Sequence, residues 1–441
     1  MSEVVVDQVE DRREVFGWQM YDWAWSAFST TVVTALLGPY LVELGEDNGG
    51  VEVFGANLEP ASFFTFVVAA SAVVQVVFLP FLGAIADHTA YKKALMMSLA
   101  TTGSVLLLGL FFVTGSTVVL GGVLFAIAGA VFGAASVIYN SFLPEIAPPE
   151  RRDRVSSVGY AYGYVGGGLW LAANLAMISF MDDTALAVRL SLAGTGVWCL
   201  VFFWLFPGRL LRARPAHREK PPGSGWVFFG FRAAGSTLVA MWRNNRQALL
   251  FLGAYLLFTD GTGTVTGIAT VFAQEELDAE PSELLLLVLM IQFIAVPGAL
   301  AFGRFAERVG AKRALIANLS VWMGLVVYAW AALTSMTELW VMGVVLAFVL
   351  GGAVSLSRSL FAQMIPARQE AEYFGFFEIA ARGTSWLGPL TFGLVNQFVG
   401  SQRQAILSLI AFFALGIIGV VFVDVRKAML DAGNDPDAVV I

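Results

Sequence analysis

In GAVSLSRSLFAQMIPARQEAEYFGFFEIAARGTSWLGP, which runs from Gly352 to Pro389, charges stand inside an otherwise apolar pattern. Arg358, Glu378 and Arg382 are the ones that bear on chemistry. Glu378 and Arg382 are four apart, so a helix stacks them on one face. An anion and a cation held together in apolar surroundings can bind a zwitterion, take up a proton, or pair with each other to close a gate. For this set the gate weighs as much as substrate binding.

Two carboxylates lie elsewhere in apolar runs. Asp260, in LLFTDGTGTV, is about twelve residues into its run, roughly 18 Å deep at about 1.5 Å per residue. A carboxylate at that depth must be paired, hydrated or protonated. It is read as a substrate or proton site, against the alternative of a protonated Asp bonded between packed helices. Gly261 and Gly263 make the stretch a candidate to unwind along a cavity. Asp22 stands at the start of the first apolar run, within reach of the interface or a cavity.

The chain that must position these groups is a membrane protein. Hydrophobic residues make up 58% of its 441 residues and charged residues 13%, about half the share usual in soluble domains. Mean hydropathy is +0.74. The first apolar run is too long for a cleaved leader and counts as the first span. Cys199 alone excludes an intramolecular disulfide, and His88 and His217 leave little for a metal site, so no metal or cofactor is expected. No basic face remains to hold nucleic acid once loop charges are assigned to a membrane surface.

Apolar runs predict spans at 18–42, 61–86, 94–113, 118–142, 155–180 and 186–206, then at 248–272, 284–304, 314–333, 338–361, 374–399 and 402–424. This divides the chain into an N-tail (1–17), a six-helix bundle (18–206), a linker (207–247), a second bundle (248–424) and a C-tail (425–441). Trp226 to Arg246 in the linker reads as an amphipathic helix in the inner interface. Lys92, Lys93, Arg151, Arg152, Arg154, Arg308, Lys312, Arg313, Arg368, Arg426 and Lys427 fall on one side, while the opposite loops at 46–60 and 274–283 hold no Lys or Arg. That bias predicts both termini in the cytoplasm and a multi-pass protein of the cell membrane.

The two halves repeat each other. GAASVIYNSFLPEIAPPERRDRVSSVGYAYGYVG, from Gly133, echoes the stretch at Gly352, and it aligns Asn140 with Arg358. GAIADHTAYKKAL after the second span matches GRFAERVGAKRAL after the eighth. Asp87, Lys92 and Lys93 in one copy, and Glu307, Arg308 and Lys312 in the other, are candidates for a cytoplasmic latch. Gln75, Asn174 and Gln292 are read as amides joining helix to helix, and the Phe and Trp residues as core and lipid-facing bulk.

The spacing of these two loops resembles the signature loop of the major facilitator superfamily. YDWA from Tyr21, LLFTDGTGTV from Leu256, NSFLPEIAPPERRDRVS from Asn140 and RGTSWLGP from Arg382 resemble its vacuole-effluxer branch, related to the autophagy permeases of fungi. Trp25 and Thr259 depart from the pattern at positions where the branch has Asn. The resemblance implies an all-α major facilitator fold, twelve transmembrane helices in two pseudo-symmetric bundles, and amino acids as substrates with efflux as direction. The expectation is a monomeric secondary transporter, driven by protons since no ATP-binding motif is visible, moving a small polar solute by alternating access. Arg382 is then the better substrate cation and Asp260 its counterpart across the cavity. The competing reading is a lipid-translocating or non-transporting receptor protein on the same frame. No enzyme is expected, for no nucleophile and base or metal cluster shares a depth.

Overall fold

A computed structural model of the chain describes residues 11–216, 225–277, 279–382 and 387–441. Among them, eleven helices are long and apolar enough to cross a membrane. In hydrocarbon every backbone N–H and C=O must be satisfied within the segment, which is why such runs become helices. In the first half these are α1 (Arg12–Asp47), α2 (Pro60–Asp87), α3 (Lys92–Phe112), α4 (Gly115–Ile146), α5 (Pro149–Phe180) and α6 (Thr184–Leu210). A shorter helix, α7 (Trp226–Asn244), follows. The second half holds α8 (Arg246–Gln274), α9 (Glu283–Val309), α10 (Ala311–Ala331) and α11 (Met336–Gln363). The expected span at 374–399 falls on α12 (Glu370–Arg382) and α13 (Leu387–Val399); the residues of RGTSWLGP at 383–386 lie outside the described set, as do His217, Arg218 and Lys220. Then come α14 (Gln402–Phe422) and α15 (Val425–Asp431). The architecture is the all-α major facilitator fold.

Side chains with no role in lipid set the helix ends. Glu59 caps α2 by accepting from the Ser62 N–H at 2.8 Å and the Ser62 hydroxyl at 2.7 Å. Those bonds, the hydroxyl's first, hold its carboxyl below the ordinary glutamate range. Between α1 and α2 a hairpin pairs Val51–Val53 antiparallel with Ala56–Leu58.

Three local features differ from the sequence expectation. α1 begins at Arg12, not near residue 18. Its early charges are neutralised in place: Asp11 accepts from the Arg13 N–H at 2.9 Å, and Glu14 pairs with Arg214 at 2.8 Å. Second, the run around Asp260 stays helical throughout Arg246–Leu277, and its threonine hydroxyls are taken up within the helix, Thr264 donating to the Asp260 carbonyl at 2.7 Å and Thr266 to the Thr262 carbonyl at 2.9 Å. Third, the irregular backbone lies in α1, which widens to a π-helix over Phe28–Leu36. Such wide turns recur at functional sites.

The halves approach closely where α2 crosses α12. A Cβ on Gly83 would lie 2.2 Å from the Ala371 carbonyl oxygen, and one on Gly375 would lie 2.8 Å from the Pro80 Cα. This crossing lies at the end of the molecule that carries α15, the segment after α6 and the start of α1, called here the terminal end.

Candidate functional site

A cavity of about 300 Å³ lies between the halves. Its charged lining is Asp22 from α1, Arg358 from α11, and Glu378 and Arg382 from α12. Ser29, Thr30, Tyr164 and Gln292 also line a larger cavity of about 870 Å³, which runs on to Glu43 and Gln274. Since Glu43 and Gln274 stand near the far ends of α1 and α8, the opening faces away from the terminal end. The π-helix in α1 supplies Ser29 and Thr30 to both spaces.

The cavity floor is one connected polar chain contributed alternately by the two halves. Arg358 is 1% exposed. Its NH1 and NH2 each donate to Asp22 Oδ2 at 3.2 Å, its Nε donates to the Ser156 hydroxyl at 2.9 Å, and NH2 donates to the Ser156 carbonyl at 2.9 Å. Tyr139 donates its hydroxyl to the same Asp22 oxygen at 2.7 Å. Aromatic faces complete the cage, with Tyr160 4.2 Å and Trp18 4.6 Å from the guanidinium carbon. A buried cation is tolerated where its donors and its charge are both answered in this way.

From Arg358 the chain continues through Asn140. Arg358 NH1 donates to Asn140 Oδ1 at 3.4 Å, and Asn140 Nδ2 donates to Glu378 Oε1 at 2.7 Å. Glu378 Oε2 pairs with Arg382 at 2.9 Å, and Arg382 NH1 donates to Gln75 Oε1 at 2.8 Å. Asn140 and Arg358, equivalent in the repeat, thus touch each other across the pseudo-symmetry axis. The two arginines differ in access: the Arg382 side chain is 26% exposed and that of Arg358 1%. The first can meet a solute without leaving its place. The second is structural in this state.

Asp260 is not part of this chain and does not line the cavity; its neighbour Thr259 does. Asp260 Oδ2 accepts from the Gly388 N–H at 2.7 Å, in the first turn of α13, and Oδ1 has no partner among the described residues. The expectation that Asp260 faces Arg382 across the cavity is therefore corrected: the nearby helix end holds the carboxylate, because free N–H groups in a first turn attract an anion. Asp22 also differs from expectation. With α1 starting at Arg12 it is almost three turns in and lies fully at the cavity.

The latch candidates separate by copy. Asp87 accepts from the Ala371 and Glu372 N–H groups at 3.1 and 2.8 Å, capping α12 of the other half, and Lys92 lies 3.8 Å from it and 2.5 Å from Glu145. Lys93 donates to the Leu211 carbonyl at 2.6 Å. In the second copy Glu307 and Arg308 are exposed, and Lys312 donates to the Val421 and Val423 carbonyls at 2.8 and 2.7 Å. Arg152 adds a bond between the halves, from NH1 to the Ala362 carbonyl at 2.9 Å.

Several cavity residues went unassigned in the sequence. Tyr21, Trp25, Tyr160, Tyr164, Tyr255 and Phe377 contribute aromatic faces to its wall. Their signals are few, Tyr21 standing next to Asp22 and Tyr160 and Tyr164 in the tyrosine-rich GYAYGYVG, and composition alone reads them as bulk. Of the amides, Asn174 joins helix to helix, donating to Thr31 at 3.1 Å, and so does Gln75, which accepts from Arg382 of α12, whereas Gln292 lines the cavity.

A sequence profile described as "Vacuole effluxer Atg22 like" matches residues 10–433. The chain is 28% identical over 410 residues to an uncharacterized MFS-type transporter, YxiO, of Bacillus subtilis, covering 92% of this chain and 94% of that one. It is 24% identical to the autophagy-related protein 22-1 of Emericella nidulans, covering 92% and 88%. In fold it is similar to the E. coli fucose:proton symporter FucP, with a TM-score of 0.68 at 15% identity over 92% of this chain and 97% of that one. It is also similar to the human organic anion transporter MFSD10, with a TM-score of 0.66 at 13% identity over 93% and 99%.

Proposed function

Because the chain belongs to the vacuole effluxer Atg22-like family and has the major facilitator fold, we propose that it moves a small zwitterionic solute, such as an amino acid, by proton-coupled alternating access. The observation that carries this reading is the polar chain at the cavity floor. It presents a half-buried cation at the cavity, Arg382, beside an anion, Glu378, four residues earlier on one helix face. A solute carboxylate fits the guanidinium fork of Arg382, and its ammonium group fits Glu378 or Asp22 with the tyrosine faces around them.

The same chain couples binding to movement. Each half holds the other through Asp22–Arg358, Asn140–Glu378 and Arg382–Gln75. A solute that takes over Arg382 and Glu378 replaces two of these links with bonds to itself. A proton on Glu378 removes the charge that Asn140 and Arg382 answer, and so loosens the floor from within. Asp260, held on the first turn of α13, positions that segment. The Lys and Arg excess at the terminal end puts that end in the cytoplasm, so the present form is open outward in the cell membrane. Efflux is the direction that the family's description suggests.

The test is flux into proteoliposomes holding the purified chain, under an imposed proton gradient, with a panel of amino acids. Gradient-dependent uptake of a zwitterion is expected, with loss in Arg382→Gln and Glu378→Gln. Wild-type rates in both variants would overturn the assignment. The apolar stretch of the outer cavity, with Leu36, Ile178, Leu284 and Val288, favours a second reading as a lipid translocator, which a fluorescent-lipid scrambling assay on the same vesicles separates.

A further inference from the structure

We propose that α7 is a clasp that reads the charge of the bilayer: it rests on an anionic phospholipid surface, and while seated there it holds the terminal end of the two halves together.

The helix has three distinct faces. One, made of Gly230, Ala234, Thr237, Met241 and Asn245, is buried against the bundle. It reaches both halves. On the first half Phe231 stacks on Phe81 at 5.1 Å and Phe229 meets His88 edge-on at 4.7 Å. Gly230 permits this seat, for a Cβ there would lie 2.3 Å from the Phe81 ring. On the second half the Thr237 hydroxyl donates to Glu372 Oε2, in the first turn of α12, and Asn245 Nδ2 donates to the Met364 carbonyl at 2.8 Å. The contact is made to Glu372, one of the two residues whose N–H groups Asp87 accepts from to close the halves.

The second face is exposed and apolar, with Phe228 69%, Phe231 44%, Val239 50% and Trp242 63% exposed. In a chain that spans a membrane this face has a ready occupant. It continues the lipid-facing row of α2, where Phe78 is 46% exposed and packs 6.2 Å from Phe81. The third face carries Arg232, Ser236 and Arg243, all exposed, at a spacing of four and seven that lines them up. Arg246 adds a further cation, stacked 5.9 Å from the Trp242 ring. From Trp226 to Arg246 no acidic residue occurs. An apolar face flanked by a purely basic one suits the headgroup layer of an anionic leaflet. Seating α7 there fixes Thr237 at Glu372, and opening the terminal end must separate Phe81 from Glu372 and so break one side of the clasp.

The inference rests on the transporter reading only for its effect on flux, so its test uses no solute. The full-length chain with Cys199→Ser is placed in nanodiscs of phosphatidylcholine, with or without phosphatidylglycerol. An environment-sensitive dye at Ser236→Cys reports on the helix; in a separate sample, spin labels at Ala90→Cys and Ala367→Cys report the separation of the halves. An arginine at an anionic surface favours docking by roughly fivefold. Phosphatidylglycerol is therefore expected to shift the dye to a less polar setting and to raise the ratio of short to long spin distances by about fivefold or more. The double variant Arg232→Gln with Arg243→Gln loses both responses. Thr237→Val keeps the dye response and loses the distance response. The proposal is overturned if the dye is indifferent to phosphatidylglycerol, if the double variant responds as the parent does, or if Thr237→Val leaves the distance response intact. A null result in the flux panel with these responses present would sink the transport reading and leave the clasp standing.

Discussion

Arg358 and Arg382 share a residue type and differ in what they can do, and the difference is burial. Arg358 has each nitrogen engaged, by Asp22, Ser156 or Asn140, inside an aromatic cage. Arg358→Gln strands the Asp22 carboxylate, a change that costs about 3–5 kcal/mol for a buried pair. The expected outcome is a sharp fall in thermal stability in detergent together with loss of transport, with much of the stability restored when Asp22→Asn is added. An additive double variant would contradict the pairing. Arg382→Gln is expected to act differently, losing uptake at ordinary solute levels through a KM raised about tenfold or more, with a smaller fall in thermal stability than Arg358→Gln, since its side chain already meets the cavity. What was legible in the sequence follows the same line. Charges in apolar runs announce themselves because water-free burial forbids them without a partner, and Asp22, Asn140, Arg358, Glu378 and Arg382 all lie along one cavity. Tyr139 and Tyr160 gave no such notice, for a tyrosine is as much at home in a core as at a binding wall. Asp260 looked like the counter-ion of Arg382, but depth does not tell which side of a helix a residue faces.

At the scale of the helix, the outcome depends on how closely two backbones approach. Apolar runs located the spans because length and hydrophobicity alone determine whether a helix can cross. They could not reveal that α1 starts a turn and a half earlier, since that depends on Arg214 and Arg212 arriving from the segment after α6 to neutralise Glu14 and Asp11. Nor did the glycines of α8 mark an unwound stretch: residues 261–267 keep their helix, and the wide turn sits in α1. The glycine that does decide something is Gly83. With a Cβ 2.2 Å from the Ala371 carbonyl, Gly83→Val must push α2 off α12 and carry Asp87 away from the α12 amides. The variant is expected to remain folded, since each helix keeps its own bundle, but to lose the closed terminal end. Spin labels at Ala90→Cys and Ala367→Cys would then show mainly the long distance, and a parent-like distribution would refute the role given to this crossing.

Over the whole molecule, duplication supplies two copies of each part, and the structure uses them unequally. Asp87 and Glu307 hold equivalent places after the second and eighth spans, yet only Asp87 caps a helix of the opposite half. The reason lies in the helices they would meet. α12 opens with Glu370, leaving first-turn amides for an acceptor to claim. α5 opens with Pro149 and then Arg152, whose side chain itself crosses to the Ala362 carbonyl, so the contact on that side is made by a donor and Glu307 stays exposed. A charged cap on a buried helix start is worth about 1–2 kcal/mol, which corresponds to roughly tenfold in the balance between closed and open forms. Asp87→Ala is therefore expected to raise the open fraction about tenfold in the spin-label measurement and to speed labelling of a cysteine on the cavity floor from the terminal side. Glu307→Gln, an exposed change with no partner among the described residues, should stay within about 0.5 kcal/mol of the parent. Equal shifts in the two variants would mean that both loops latch alike and that the asymmetry seen here is not what sets the balance.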